Sequence, residues 1–235
     1  MRFVSVVSSV LTLAFVTGLS AQSGELERIV PKSVRTIAPV YPYEMLIEGR
    51  EGRAEVEFTV EYSGRAVLAS VANATDPAFA KALIADIEAN EFIPPRINGQ
   101  PRISPAIVRY VFNSTAGLDE RARQILAELR KPRPNLASEN QLDRKLTPLR
   151  QDVRYPYSIL TDGVSGEATL EIVVDRTGRV LFPRIVSATT DDIGYAAATA
   201  VARWRYPAPI KGGQPVDARI QVKVAYDASK IATSW

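Results

Sequence analysis

Apolar and polar residues alternate with a period of two in three stretches of this chain. Across 53–62, Ala54, Val56, Phe58, Val60 and Tyr62 fall on one side, and Glu55, Glu57, Thr59 and Glu61 fall on the other. Strict alternation predicts a strand with one buried and one wet face. The same rhythm sets Ala168, Leu170, Ile172 and Val174 against Glu167, Thr169, Glu171 and Asp175. It returns most cleanly at the end of the chain, where Val216, Ala218, Ile220, Val222, Val224 and Tyr226 alternate with Asp217, Arg219, Gln221 and Lys223. Ser63-Gly64 and Thr177-Gly178 are hairpin turn signals, so 66–72 and 180–186 are predicted as return strands, with Pro183 interrupting the second. Helical spacing takes over at Phe79, Leu83 and Ile87, and again at Ile193, Ala197, Ala200, Val201 and Trp204. Thr75-Asp76-Pro77 and Thr189-Thr190 supply helix starts. A further strand is predicted over 103–112, interrupted by Pro105.

These elements form one plan written twice. Sliding the chain by 114 residues carries Tyr41-Pro42-Tyr43 onto Tyr155-Pro156-Tyr157, Gly64-Arg65 onto Gly178-Arg179, and Gly99-Gln100-Pro101 onto Gly213-Gln214-Pro215. Shared turn residues with shared apolar rhythm mean the same small fold in tandem. The expected fold class is α+β. It comprises two tandem ββαβ units, each a three-stranded antiparallel sheet packed on one helix and preceded by a short helix near 43–47. Connectivity gives each sheet the strand order 2-1-3, because the third strand must lie beside the first for the sheet to stay antiparallel. The units are placed at 32–113 and 151–228.

Between them, 114–150 reads as a connector. Leu118, Ala122, Ile125, Leu126 and Leu129 share one face of a helix that ends before Pro132. That helix either docks on one of the units or binds a target. At the amino end, Arg2 precedes an apolar run from Phe3 to Leu19 and the small residues Ser20-Ala21. Residues 1–21 read as a secretory signal peptide, which places the chain in the periplasm. The alternative is an uncleaved inner-membrane anchor with the chain facing the periplasm, so membrane attachment depends on the leader staying on.

Composition narrows the chemistry. The chain has no histidine and no cysteine, which removes the commonest zinc ligands and nucleophile–base pairs. No catalytic residue, metal or cofactor is therefore assigned, and an enzyme is not expected. A net charge of +3 without a basic aromatic strip gives no case for nucleic acid.

At Trp204-Arg205-Tyr206-Pro207 these elements reach a familiar order. It runs Tyr155-Pro156, Gly166, Val174-Asp175, Gly178-Arg179-Val180, a helix ending at Trp204 to Pro207, and a last strand. This order resembles the TonB C-terminal domain family. The first copy keeps Tyr41-Pro42, Glu51-Gly52, Phe58, Val60, Gly64-Arg65 and Phe92, but has Asn90 where the tryptophan belongs. The resemblance implies a protein or peptide partner in the cell envelope, such as a TonB-dependent outer-membrane transporter, held as a strand added to the sheet. Energy-transducing members have a membrane anchor, a Pro-rich spacer and one such domain. This chain has a leader that looks cleavable, no long spacer, and the domain doubled. Three functions stay open: a periplasmic peptide-capturing protein, a membrane-anchored energy transducer, and a structural envelope scaffold.

For capture, the expected site is the outer edge of the last strand, 216–227. Its residues are Val216, Asp217, Ala218, Arg219, Ile220, Gln221, Val222, Lys223 and Val224, with no proline after Pro215. Tyr155, Pro156 and Tyr157 either fix the start of the unit or contact the partner. In the first copy, Pro105 is expected to impair the equivalent edge. The two units could also pair their edges into one six-stranded sheet, leaving no edge for a ligand.

Overall fold

The structure, a computed structural model, describes residues 32–34, 38–151, 153, 155–157, 163 and 165–227. The leader over 1–21 lies outside the described residues. Among them, no helix is long and apolar enough to cross a membrane.

The first unit contains α1 (Tyr43–Glu48), β1 (Gly52–Val60), β2 (Ala66–Ala74), α2 (Pro77–Ala89) and β3 (Ser104–Phe112). The connector adds α3 (Glu120–Leu129) and a two-residue strand, β4 (Ala137–Ser138). The second unit contains β5 (Gly166–Val174), β6 (Val180–Ala188), α4 (Asp191–Ala202) and β7 (Ala218–Tyr226). The sheets are ordered β2-β1-β3 and β6-β5-β7-β4. The fold is α+β, and within each ββαβ unit the order is 2-1-3, with antiparallel pairs throughout. The short fourth strand β4, parallel to β7, was not expected from the sequence.

Alternation sets which face is dry. Ala54, Val56, Phe58 and Val60 are buried on β1, as are Ala168, Leu170, Ile172 and Val174 on β5. α2 and α4 each begin at a capping side chain: Asp76 accepts from the Ala78 amide, and Thr190 accepts from the Ile193 amide. α4 ends at Ala202, short of the expected Trp204, which lies just beyond the helix and is buried in the core. The hairpin turns are tight. A Cβ on Gly178, at φ 83°, would strike the carbonyl of Tyr206, and one on Gly64, at φ 85°, would strike that of Phe92.

Both return strands carry a bulge at the same position of the repeat. Leu68 and Phe182 have positive φ (55° and 49°), and the ladder skips residues there. Pro183 therefore does not end its strand. It falls inside the skipped segment between Leu181 and Arg184, where no ladder amide is required.

The units do not pair their sheet edges: they meet mainly through α2 and α4, and α1 also touches β6, where Arg184 pairs with Glu44 (3.3 Å). α2 and α4 pack together, and one buried cluster runs from Val56 and Phe79 to Leu170 and Trp204. At the carboxyl ends of these helices, Arg203 donates to the carbonyl of Ala89 (2.8 Å), to Asp86 (3.2 Å) and to Asn90 (3.3 Å). The Asn90 amide also donates to Asp86 (2.9 Å). Asn90 thus replaces the tryptophan of the second copy with a group that receives an arginine across the interface. At the other end, Lys81 pairs with Asp191.

Asp86 is 6% exposed, and burial pushes its carboxyl up to about 6, outweighing the pull of Arg203 and the Asn90 hydrogen bond. A carboxyl raised in the folded state favours its protonated form there. Its contribution to stability therefore grows as pH falls through about 6 towards the ordinary value of 3.8. We expect wild type to gain on Asp86→Asn by about 2 kcal/mol between pH 7.5 and 4.5. Urea unfolding of both proteins at the two pH values checks this, and a pH-independent difference would refute it.

Candidate peptide-binding edge

The connector shapes the site. α3 lies on the outer face of the second sheet, where Ile125 and Leu129 pack with Val173, Leu181 and Phe182, and with Tyr43 and Ile47 of α1. Asp119 and Arg121 anchor its start by pairing with Arg179 and Asp217, and Arg130 at its end donates to the Leu46 carbonyl. The Arg179 guanidinium and the Ala122 amide hold the Asp119 carboxyl down at about 2. The helix docks, and it docks on both units.

Beyond α3 the chain returns along β7. Ala137 donates to the carbonyl of Asp217 (3.0 Å), and β4 pairs Ala137 with Ala218 and Ser138 with Arg219. Asp143 then accepts from the amides of Gly212 and Gly213 (2.8 Å each), pinning the turn that feeds β7. Leu146 is buried in the shared core.

The expected free edge over 216–227 is therefore shorter than the sequence implied. The Val216 amide donates to the Pro209 carbonyl (2.9 Å), and the Asp217 carboxylate holds Arg121 and the Arg176 amide. Ala218 and Arg219 are in register with Ala137 and Ser138 of β4. From Ile220 to Tyr226, no strand among the described residues covers the outer side.

The direction of each backbone group follows from the Ala137 contact. In a strand, successive residues point their N–H and C=O groups to opposite sides. Because the Asp217 carbonyl faces β4, the groups of Gln221, Lys223 and Ala225 face the open edge, and those of Ile220, Val222 and Val224 face β5. Side chains alternate at right angles to this. Ile220 and Val224 are buried inward, while Gln221, Lys223 and Ala225 are exposed. Lys223 pairs with Glu167 (2.7 Å), and Arg219 with Glu171 (3.6 Å). A groove of about 510 Å³ opens where β4 leaves the edge, lined by Leu136, Ser138, Asn140, Arg219, Ile220 and Gln221.

Of the expected Tyr155, Pro156 and Tyr157, Tyr155 closes the far end of β7 and Tyr157 is half-buried. Tyr155 stacks edge-on against Tyr226 (5.2 Å between ring centres), and its hydroxyl accepts from the Asp227 amide (2.9 Å). Pro156 is buried and lines a cavity between α2 and α4. Tyr41 repeats the first arrangement against Phe112 (5.6 Å), so both tyrosines close the end of a sheet. Sequence reasoning missed β4 and Asp143. Two residues of strand carry no periodicity, and a lone aspartate in a polar connector looks like any solvated side chain.

Residues 151–228 match the family model described as the Gram-negative bacterial TonB protein C-terminal. The solution NMR structure of the Pseudomonas aeruginosa TonB CTD is similar over 40% of this chain and 94% of that one. Its identity is 20% and its TM-score 0.32. No curated protein matches the chain.

The edge assignment has a direct readout. In amide hydrogen exchange, Gln221, Lys223 and Ala225 should exchange at least tenfold faster than Ile220, Val222 and Val224. Equal protection along 220–226 would mean that the edge is covered.

Proposed function

We propose that this chain is a non-enzymatic, exported binding protein of the cell envelope. In this reading its second unit captures an extended segment of an envelope partner, of the kind offered by outer-membrane transporters, as a strand added to β7. The observation that carries the reading is the uncovered edge from Ile220 to Tyr226 within the residues that match the TonB C-terminal family. Gln221, Lys223 and Ala225 offer three N–H and three C=O groups to an added strand. At ~0.5–1.5 kcal/mol net for each hydrogen bond, less the cost of ordering the peptide, capture is weak and reversible. β4 sets one end of the site, so an added strand runs no further than Ile220.

Titration with peptides from the amino-terminal segments of outer-membrane transporters, followed by amide NMR, tests this. Shifts should follow 220–226 and leave 216–219 in place. Lys223→Pro removes one edge-facing donor without touching the β5 ladder and should weaken binding at least tenfold. Shifts that avoid 220–226, or an affinity unchanged by Lys223→Pro, would count against the proposal.

A further inference from the structure

The first unit carries the same opening. β3 pairs with β1 on one side only, and no strand among the described residues covers the other. Pro105 removes one outward-facing donor at the start of this edge, as the sequence implied, and leaves 106–112 open. It sits at the second residue of β3, opposite Thr59, and a residue without an N–H is accommodated where that position faces outward. The register matches that of the second unit, with Ala106 opposite Phe58 as Ile220 is opposite Ile172. The backbone groups of Ile107, Arg109 and Val111 therefore face the open side. The uncovered segment, 106–112, is the repeat counterpart of 220–226.

The two edges differ in how they are guarded. Strand edges in soluble proteins are commonly protected by lysines, prolines or a covering segment. The second edge has Lys223 and β4. The first has Pro105 at one end, and Arg109 is drawn sideways onto Glu55 (2.6 Å and 3.1 Å). Ile107 and Val111 flank the open backbone and are 40% and 72% exposed. Their repeat counterparts are Gln221 and Ala225. Unpaired backbone groups call for a strand, and the exposed aliphatic pair calls for aliphatic residues on it.

We propose that the edge Ala106 to Phe112 is a second strand-addition site, which takes a foreign extended segment with aliphatic residues opposite Ile107 and Val111 and an acidic or neutral polar residue opposite Arg109. A second copy of this chain fits less well. Two-fold pairing centred on this edge would set Arg109 against Arg109, and like charges directly opposite are unfavourable. The inference stands whether or not the second unit's edge binds, and it makes the chain bivalent if both do.

The test uses the full chain and the peptide acetyl-Thr-Val-Thr-Glu-Thr-Val-Thr-amide, with a control carrying lysine in place of both valines. Amide NMR should show saturable shifts along 106–112 with the first peptide and at least tenfold weaker binding of the control. Ile107→Lys with Val111→Lys should weaken the first peptide at least tenfold while leaving the far-UV spectrum unchanged. Arg109→Pro, which removes one edge-facing donor, should do the same. Shifts confined to 220–226, no shifts at all, or affinity indifferent to both variants would overturn the proposal. So would a peptide-free dimer abolished by the double lysine variant, since a second copy would then be the occupant.

Discussion

The packing of α2 against α4 determines what the rest of the molecule can offer. Arg203 crosses that contact into a pocket made by Asp86, Asn90 and the Ala89 carbonyl, none of which has an apolar equivalent able to receive a guanidinium. Removing one partner from such a buried cluster leaves an unpaired charge, which costs far more than an exposed ion pair contributes. The contact joins the two units on their helical sides. The two sheets stay separate, and neither third-strand edge pairs with the other unit. A six-stranded sheet, in which the edges would satisfy one another, is excluded by this arrangement.

The connector then makes two similar units unequal. α3 covers the outer face of the second sheet around Val173, Leu181 and Phe182, and β4 closes the first part of the β7 edge. The first sheet has neither cover. Leu68, the counterpart of Phe182, is exposed where Phe182 is packed. A repeated fold has thus been given two different edges, one short and fringed by Gln221 and Lys223, the other fringed by Ile107 and Val111. Different preferences for an incoming strand follow from the side chains alone, because the backbone hydrogen bonds are the same at both.

Much of this was legible in the sequence, for physical reasons that can be named. Alternation at Val56, Phe58 and Val60 reports burial of one sheet face, and Gly178 reports a turn that no Cβ could enter. The strand order followed from connectivity. What the sequence concealed depends on contacts between distant segments. Asn90 looked like a lost tryptophan until Arg203 was seen to reach it. Pro183 and Pro105 looked like interruptions, yet one lies in a bulge and the other at an outward-facing position. Ala137 and Ser138 form a strand only because Ala218 and Arg219 lie beside them.

Strand addition at the open edge of β7 is the centre of this account, and the chain's lack of cysteine allows it to be tested by proximity. A transporter-derived peptide carrying one cysteine can be mixed with chains bearing a single Gln221→Cys, Ala225→Cys or Ser187→Cys change, the last on the opposite edge strand β6. The account predicts rapid disulfide formation at 221 and 225 and little at 187. Equal trapping at all three positions, or trapping at 187 alone, would contradict it.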